Sequence, residues 1–460
     1  MQLHLPIIVG SALATVVLVP AVKRLAAAVG AVDAPTGGRR IHERPIPRLG
    51  GLALFIPIML AMAISLQRIP EESLRLGPNG LIGLLSACGC IFLLGLYDDI
   101  RGVNPWTKLI IQAVAASVLF VVGISISTVS TPFDLPISLG IFGYPLTLLW
   151  VVGVSNGVNL LDGIDGLAAG VSAMGALTIL VVSMMQETSE VTLIAAALLG
   201  SLLGFLIFNF PPASIFLGDC GALFLGFILA TLPMISSRKA AVAVALLVPI
   251  IALGIPIFDT TLAIIRRRIR GRDPFSPDRE HLHHRLLAMG FTQREVTLWL
   301  YAASAVLTAM AIFMSNASRV GALAILLTIG AVAVVAVRRL GLDEVQALWG
   351  MVRHGERRRR PPRYRTLLVR NTIPLLERCA NVAELRSFLE EIRRGLDLDT
   401  LIVRLTDDRL VTALGVSEIV LGEDRGPLVI SQRNAECGMA NAEWNHGAPI
   451  PNPQSPIPNP

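Results

Sequence analysis

The stretch NGVNLLDGIDGLAAG, from Asn156 to Gly170, sets Asn159, Asp162 and Asp165 at the end of one apolar run, and a second apolar run begins directly after it. Carboxylates in or beside hydrocarbon are costly to hold and therefore point to function. Gly157, Gly163 and Gly166 let the backbone turn tightly and let a ligand come close to the main chain. A polar turn linking two membrane helices is the competing reading, and the rest of the chain argues against it.

The chain has 460 residues, of which 53% are hydrophobic and 16% charged, and its mean hydropathy is +0.66. That apolar excess excludes an ordinary soluble globular protein and fits a polytopic membrane protein. The net charge of +6 matters less than where the charges sit, and nothing in it suggests a nucleic-acid partner. The five cysteines are an odd number without metal-type spacing. Cys88 and Cys90 point to different sides of a helix, so all five read as reduced thiols with no disulfide framework. The first apolar run reads as a retained helix rather than a cleaved signal peptide, because its positive charges, Lys23 and Arg24, come near its end, followed by Arg39, Arg40, Arg44 and Arg48.

Runs long enough to span a bilayer, roughly 17–25 residues, recur about eleven times. They fall near 3–29, 50–67, 79–97, 108–126, 145–160, 167–186, 191–209, 220–236, 240–265, 295–314 and 319–337. The Arg-rich connection after the first run is cytoplasmic by the positive-inside rule, which puts the N-terminus outside and the C-terminus in the cytosol. Strict alternation then brings YDDIRG (97–102), the Asn156–Gly166 stretch, FNFPPASIFLGDCG (208–221) and IRRRIRGRDPFSPDREHLHHRLL (265–287) to one cytoplasmic face. The opposite loops carry little charge, and the one from Ser127 to Tyr144 could form a short hairpin. Polar chemistry gathered on one face suits an enzyme with a cytosolic substrate. A transporter or lipid flippase would hold ionisable residues in mid-helix, and these helices are nearly free of charge at their centres.

After Arg338 the character changes. HGERRRRPPRYR (354–365) is a basic segment suited to anionic membrane lipid. Residues 366–425 mix apolar and charged positions and could make a helix and a strand or two. The PIPNP repeat at 449–453 and 456–460 reads as disordered. The expected division is a transmembrane domain over 1–337, a basic segment with a small cytoplasmic appendage over 338–425, and a Pro-rich tail over 426–460.

Four groups of residues carry the chemistry. Asp98 and Asp99 end an apolar run, and adjacent carboxylates are most useful where a cation or a proton offsets their repulsion. Asp219, held among glycines in SIFLGDCGALFLG, is a good hard-cation ligand, since Mg²⁺ often takes one or two carboxylates plus substrate phosphates. Asp259 precedes a run of arginines and could pair with one of them. His281, His283, His284 and Arg285 form HLHHR, a crowded set with no cysteine nearby that suits a diphosphate better than zinc. An acidic cluster, a cationic loop and helices for a lipid together suit phosphoryl transfer, which needs little beyond positioning and charge neutralisation.

PRLGG (47–51), GLYDD (95–99), NLLDGIDGLA (159–168), FNFPPASIFLGDCGALFLG (208–226), PIFDTTLAIIRR (256–267) and RGRDPFSPDREHLHHRLLAMGFT (270–292) resemble, in order, the polyprenyl-phosphate N-acetylhexosamine-1-phosphate transferases. The resemblance covers residues 1 to about 337. It implies an all-α polytopic fold in the plasma membrane, Mg²⁺ (or Mn²⁺) dependence and a homodimer as a common state. Asp98 and Asp99 match the family's aspartate pair, one member of which helps the lipid phosphate attack. Asp219 matches the Mg²⁺-binding aspartate, Asn159, Asp162 and Asp165 match positions lining the nucleotide pocket, and Phe216 matches an aromatic packing on uracil. His281, His283, His284 and Arg285 match the histidine motif near the sugar and diphosphate.

The translocase branch, which uses UDP-MurNAc-pentapeptide in peptidoglycan synthesis, carries three consecutive histidines. HLHHR instead follows the GlcNAc-1-phosphate branch, which implies UDP-GlcNAc or a close UDP-HexNAc and undecaprenyl or another polyprenyl phosphate as substrates, UMP as product, and a lipid-linked first sugar for a cell-envelope polysaccharide. Attack is direct or through an aspartyl intermediate. Where the translocase has a lysine before its double glycine, this chain reads IHERPIPR, which leaves His42 and Arg48 as candidates for the lipid phosphate. The CDP-alcohol phosphatidyltransferases, which also pair DG repeats with Mg²⁺, require an Ala-Arg pair and further spaced aspartates that are missing here.

Overall fold

The computed structural model describes residues 4–33, 45–130, 136–236, 251, 253–255, 257–259, 261, 286–287, 290–339, 400–404, 418–422 and 428–430. The chain divides into two compact units, Met1–Ala336 and Val337–Pro460.

The first unit is helical. Among the described residues its bounded helices are α1 (His4–Ala28), α2 (Gly50–Arg68), α3 (Gly77–Arg101), α4 (Pro105–Val121), α5 (Gly143–Leu161), α6 (Leu167–Met185), α7 (Ser189–Asn209), α8 (Gly218–Ser236), α9 (Gln293–Ser315) and α10 (Arg319–Arg339). Among the described residues, eight helices are long and apolar enough to cross a membrane, with α4 and part of α10 as shorter apolar helices. The span expected near 240–265 lies largely outside the described residues.

The caps are written locally. Asn104 accepts the amide of Trp106 at 2.9 Å ahead of Pro105, opening α4. Thr292 and Glu295 form a reciprocal capping box on α9. The region from Ser127 to Tyr144 does contain a hairpin, β3 (Thr128–Ser130) against β4 (Pro136–Ser138). It follows a two-residue bridge, β1 (Val32–Asp33) with β2 (Ile46–Pro47).

Helix α8 is the centre of the bundle: nearly all of its side chains are buried, and it packs against α2, α3 and α5. Small residues allow this approach, as in membrane bundles generally. A methyl group on Gly51 would collide with the backbone of Gly221, and one on Gly95 would lie 2.5 Å from the Asp219 carbonyl oxygen. Ser155 on α5 donates to the Leu223 carbonyl at 2.8 Å, and Trp150 Nε1 to the Ala230 carbonyl at 3.0 Å. At the far end of α8, the Arg75 guanidinium bonds the carbonyls of Ser236 and Gln186, each at 2.8 Å.

Helix α3 runs a turn past the span expected near 79–97, to Arg101, and so carries Asp98 and Asp99 in its last turn. The extra turn closes where Gly102, at φ 76°, donates to the Asp98 carbonyl at 2.8 Å. Its carboxylates are stabilised by partners rather than by water.

In the second unit, β5 (Thr400–Arg404), β6 (Glu418–Gly422) and β7 (Leu428–Ile430) form an antiparallel sheet in the order β5-β6-β7. Strand β7 falls beyond residue 426, where the tail was expected to begin. LVI is apolar and partly β-branched, and it pairs with β6 ahead of the prolines.

Candidate active site

The N-terminus of α8 collects side chains from three other helices. The first amides of a helix have no partner within it and form its positive end. Here carboxylates of the same chain take them. Asp99 Oδ1 accepts from the Asp219 amide and Asp99 Oδ2 from the Cys220 amide, both at 2.9 Å. Asp162, at the C-terminal end of α5, accepts from the Gly218 amide. Gly218 has φ +76°, and a Cβ there would run into the Arg48 carbonyl and lie 2.6 Å from Asp99 Oδ2. Only glycine fits this turn.

The segment 47–51 lies against the same turn. The Phe216 amide donates to the Pro47 carbonyl at 2.8 Å, Gly50 to Phe216 at 2.9 Å and Gly51 to Leu217 at 2.8 Å. PRLGG and SIFLGDCG therefore run together as one backbone cradle.

At the mouth of this cradle, Lys108 in the first turn of α4 reaches two carboxylates. Its Nζ is 2.6 Å from Asp219 Oδ2 and also pairs with Asp98 Oδ2. Asp98 Oδ1 accepts the Val103 amide at 2.6 Å. Lys108 is the only charged residue of α4. Sequence reasoning did not single it out, although a lone lysine opening an apolar helix just after an aspartate pair was a usable signal.

The Asp162 carboxyl is pushed well above the usual carboxylate range, first by its removal from water and then by the negative charges of Asp219 and Asp99. The Gly218 amide opposes that shift and Asp165 adds to it. Asp165 Oδ2 accepts the Ala213 amide at 2.9 Å, and its carbonyl accepts from Thr297 at 3.3 Å. Tyr301 donates to the Gly166 carbonyl at 2.5 Å. The loop 210–217 is thus tied to the DGIDG turn. Asn159 and Phe216 are both half-buried near this turn.

Arg48 sits between the cradle and β1, with Nη1 at 3.8 Å from Asp33 Oδ1. Two further cations flank the same loop. Lys23 donates to Ser214 at 2.7 Å and lies over the Phe208 ring, and Arg294 lies over Phe210 at 5.7 Å. His42, His281, His283, His284 and Arg285 lie outside the described residues. Asp259 is buried.

The donor set is carboxylate oxygen throughout. Among the described residues no three His, Cys, Asp or Glu side chains converge into a complete metal cage. A hard cation that keeps several waters and shares phosphate oxygens fits such a site, and Mg²⁺ and Mn²⁺ are of that kind. Chemically, the arrangement can neutralise and orient a polyanionic phosphate ester at the end of an apolar bundle.

The family model described as "Glycosyl transferase family 4" matches residues 81–237. That range holds Asp98, Asp99, Lys108, Asp162, Asp165 and Asp219. A Bacillus subtilis (strain 168) protein named "Probable undecaprenyl-phosphate N-acetylglucosaminyl 1-phosphate transferase" is 37% identical over 309 residues, covering 67% of this chain and 84% of its own length. The "Decaprenyl-phosphate N-acetylglucosaminephosphotransferase" of Mycobacterium tuberculosis (strain H37Rv) is 36% identical over 61% of this chain and 74% of its own. The "Undecaprenyl-phosphate alpha-N-acetylglucosaminyl 1-phosphate transferase" of Escherichia coli (strain K12) is 28% identical over 63% and 78%. With the motif-bearing turns gathered on one helix terminus and a relative matched over most of its length, the chain belongs to glycosyl transferase family 4.

Proposed function

We propose that this protein transfers GlcNAc-1-phosphate from UDP-GlcNAc to a polyprenyl phosphate such as undecaprenyl phosphate. UMP is released and the first sugar of a cell-envelope polysaccharide is left on a lipid diphosphate. The observation that carries this reading is the meeting of Asp98, Lys108 and Asp219 at the mouth of the α8 cradle, where a phosphate on a membrane-held chain can reach a soluble nucleotide. The protein is multi-pass in the plasma membrane, with the site facing the cytosol that supplies UDP-sugars.

The transfer is a displacement at phosphorus. An oxygen of the lipid phosphate bonds to the sugar-bearing phosphorus, and the bond from that phosphorus to the bridging oxygen breaks, with the electron pair leaving on UMP. Lys108 orients and neutralises phosphate oxygens, and Asp98 accepts the acceptor's remaining proton. Asp99 and Asp162 position α8. Asp219 would hold Mg²⁺, which supplies charge neutralisation to the diphosphate when bound. His281, His283, His284 and Arg285, with Arg48 and His42, supply further cationic contacts to phosphates, while Asn159, Asp165 and Phe216 shape the nucleotide side.

The experiment uses purified protein, undecaprenyl phosphate and Mg²⁺. UDP-GlcNAc, UDP-GalNAc and UDP-MurNAc-pentapeptide are offered separately and UMP is followed. UMP from UDP-GlcNAc alone, abolished by EDTA and by Asp219→Asn, is the expected result. UMP only from the pentapeptide substrate would move the protein to the translocase branch, and none from any sugar would overturn the reading.

A further inference from the structure

Helix α9 packs along α6 and sends three side-chain hydroxyls to main-chain carbonyls on that side. Thr297 donates to Asp165 at 3.3 Å, Tyr301 to Gly166 at 2.5 Å and Thr308 to Met174 at 3.4 Å. A hydroxyl among apolar helices needs such a partner, and Thr308 finds one inside α6. Thr297 and Tyr301 go instead to Asp165 and Gly166, which belong to the DGIDG turn ahead of that helix. The Gly166 carbonyl already accepts the Gly170 amide at 2.9 Å. Tyr301 therefore fills its second lone pair, which the first turn of α6 does not need.

The turn leaves room for this contact. A Cβ on Gly170 would collide with the Tyr301 ring, and one on Gly166 would lie 3.2 Å from its hydroxyl oxygen. Thr297 and Tyr301 stand one turn apart on one face of α9, and the Thr292–Glu295 capping box fixes the helix just ahead of them. The Tyr301 ring also packs at a tilt against Phe210, with centroids 6.5 Å apart. On the other side of the turn, Asp165 Oδ2 holds the Ala213 amide. The two carbonyls cannot swing away from α9 without pulling the Asp165 carboxylate off the loop 210–217.

We infer that Tyr301 is a positioning residue for the sugar nucleotide. Through the Gly166 carbonyl it presets the DGIDG turn in the pose that receives UDP-GlcNAc, with Thr297 as a second point of hold. The inference rests on the proposed transfer and adds what keeps its nucleotide side in shape. Tyr301 acts through the turn and touches no reacting atom. Without its hydroxyl the turn spends less time in the receiving pose, and apparent affinity falls by that fraction. The carboxylate–lysine cluster of Asp98 and Lys108 is held by other contacts, so use of the acceptor lipid is spared.

Tyr301→Phe removes the hydroxyl and keeps the ring in the space beside Gly170. By isothermal titration calorimetry of the full chain with UDP-GlcNAc and Mg²⁺, without acceptor, its Kd should rise about fivefold, the worth of one neutral hydrogen bond. In turnover, KM for UDP-GlcNAc should rise alike, while kcat and KM for undecaprenyl phosphate stay within about twofold. Thr308→Val is the control: it removes a hydroxyl from the same helix pair about 10 Å further along α9 and should leave Kd unchanged. Equal Kd values for wild type and Tyr301→Phe would overturn the inference, and UMP release by both would leave the proposed transfer standing. A matching loss of affinity in Thr308→Val would also overturn it, by making Tyr301 one packing contact among several. Wild-type protein that binds no UDP-GlcNAc would sink the transfer and the inference together. If Tyr301→Phe does not fold, Thr297→Val tests the second hold by the same titration, and an unchanged Kd there would overturn the inference.

Discussion

Asp99 holds the end of α8: its two carboxylate oxygens accept the main-chain amides of Asp219 and Cys220, each at 2.9 Å. The member of the aspartate pair that is 7% exposed is therefore a clamp, while its neighbour Asp98 turns toward Lys108. Adjacent residues on a helix point about 100° apart, so one dipeptide serves a structural and a chemical task.

The two positions should separate in mutants. Asp99→Asn puts a donor against a donor at one of the two amides, which costs about 1–3 kcal/mol for an unsatisfied buried group. Its thermal unfolding temperature in detergent should drop by several degrees. Asp98→Asn should lose UMP release with a smaller drop in unfolding temperature, because its Lys108 partner is partly exposed to water. Equal loss of stability in both variants would contradict the division.

Lys108→Met should lower kcat by about 10²–10³-fold, the usual consequence of removing one preorganised donor to developing charge. It leaves Asp98 and Asp219 facing each other without the ammonium between them. Lys108→Arg should rescue little, because a planar fork does not replace a point charge held between two carboxylates. Rescue to more than half of wild-type UMP release would show that charge alone matters.

Gly95→Ala should damage activity more than stability. Its new methyl group would lie 2.5 Å from the Asp219 carbonyl oxygen and from Cys220 Cα, and overpacking of this kind costs about 1–3 kcal/mol. Any relief moves the start of α8 away from α3, and Asp219 away from Asp98. Steady-state kinetics beside a melting curve would check the ratio.

Asp162 gives a pH-dependent stability difference. Its folded-state carboxyl titrates above the usual range, so its contribution to stability is present below the unfolded value and is lost as pH rises through the folded one. Asp162→Asn keeps an oxygen for the Gly218 amide and removes that cost. The melting temperature of the variant minus that of wild type should therefore increase from pH 5 to pH 8. A difference that shrinks with rising pH would refute the assignment.

The amino-acid sequence by itself determined the class of molecule and most of its helices. Apolar runs bounded by polar turns leave a chain few choices where backbone groups must be satisfied within the helix. It also marked Asp98, Asp99, Asp162, Asp165 and Asp219, because carboxylates among glycines in an apolar chain stand out against their cost. What each of them does was decided only by the tertiary structure. Nothing local tells that Asp99 and Asp162 satisfy amides of a distant helix, since the partner is main chain and carries no side-chain signature. Nor does a single lysine at the start of α4 reveal that it bridges Asp98 and Asp219. Helix ends can be read from propensity and capping. Which ends meet depends on the close packing of α2, α3 and α8 through Gly51, Gly95 and Gly221, a property of the surfaces together and of none of them alone.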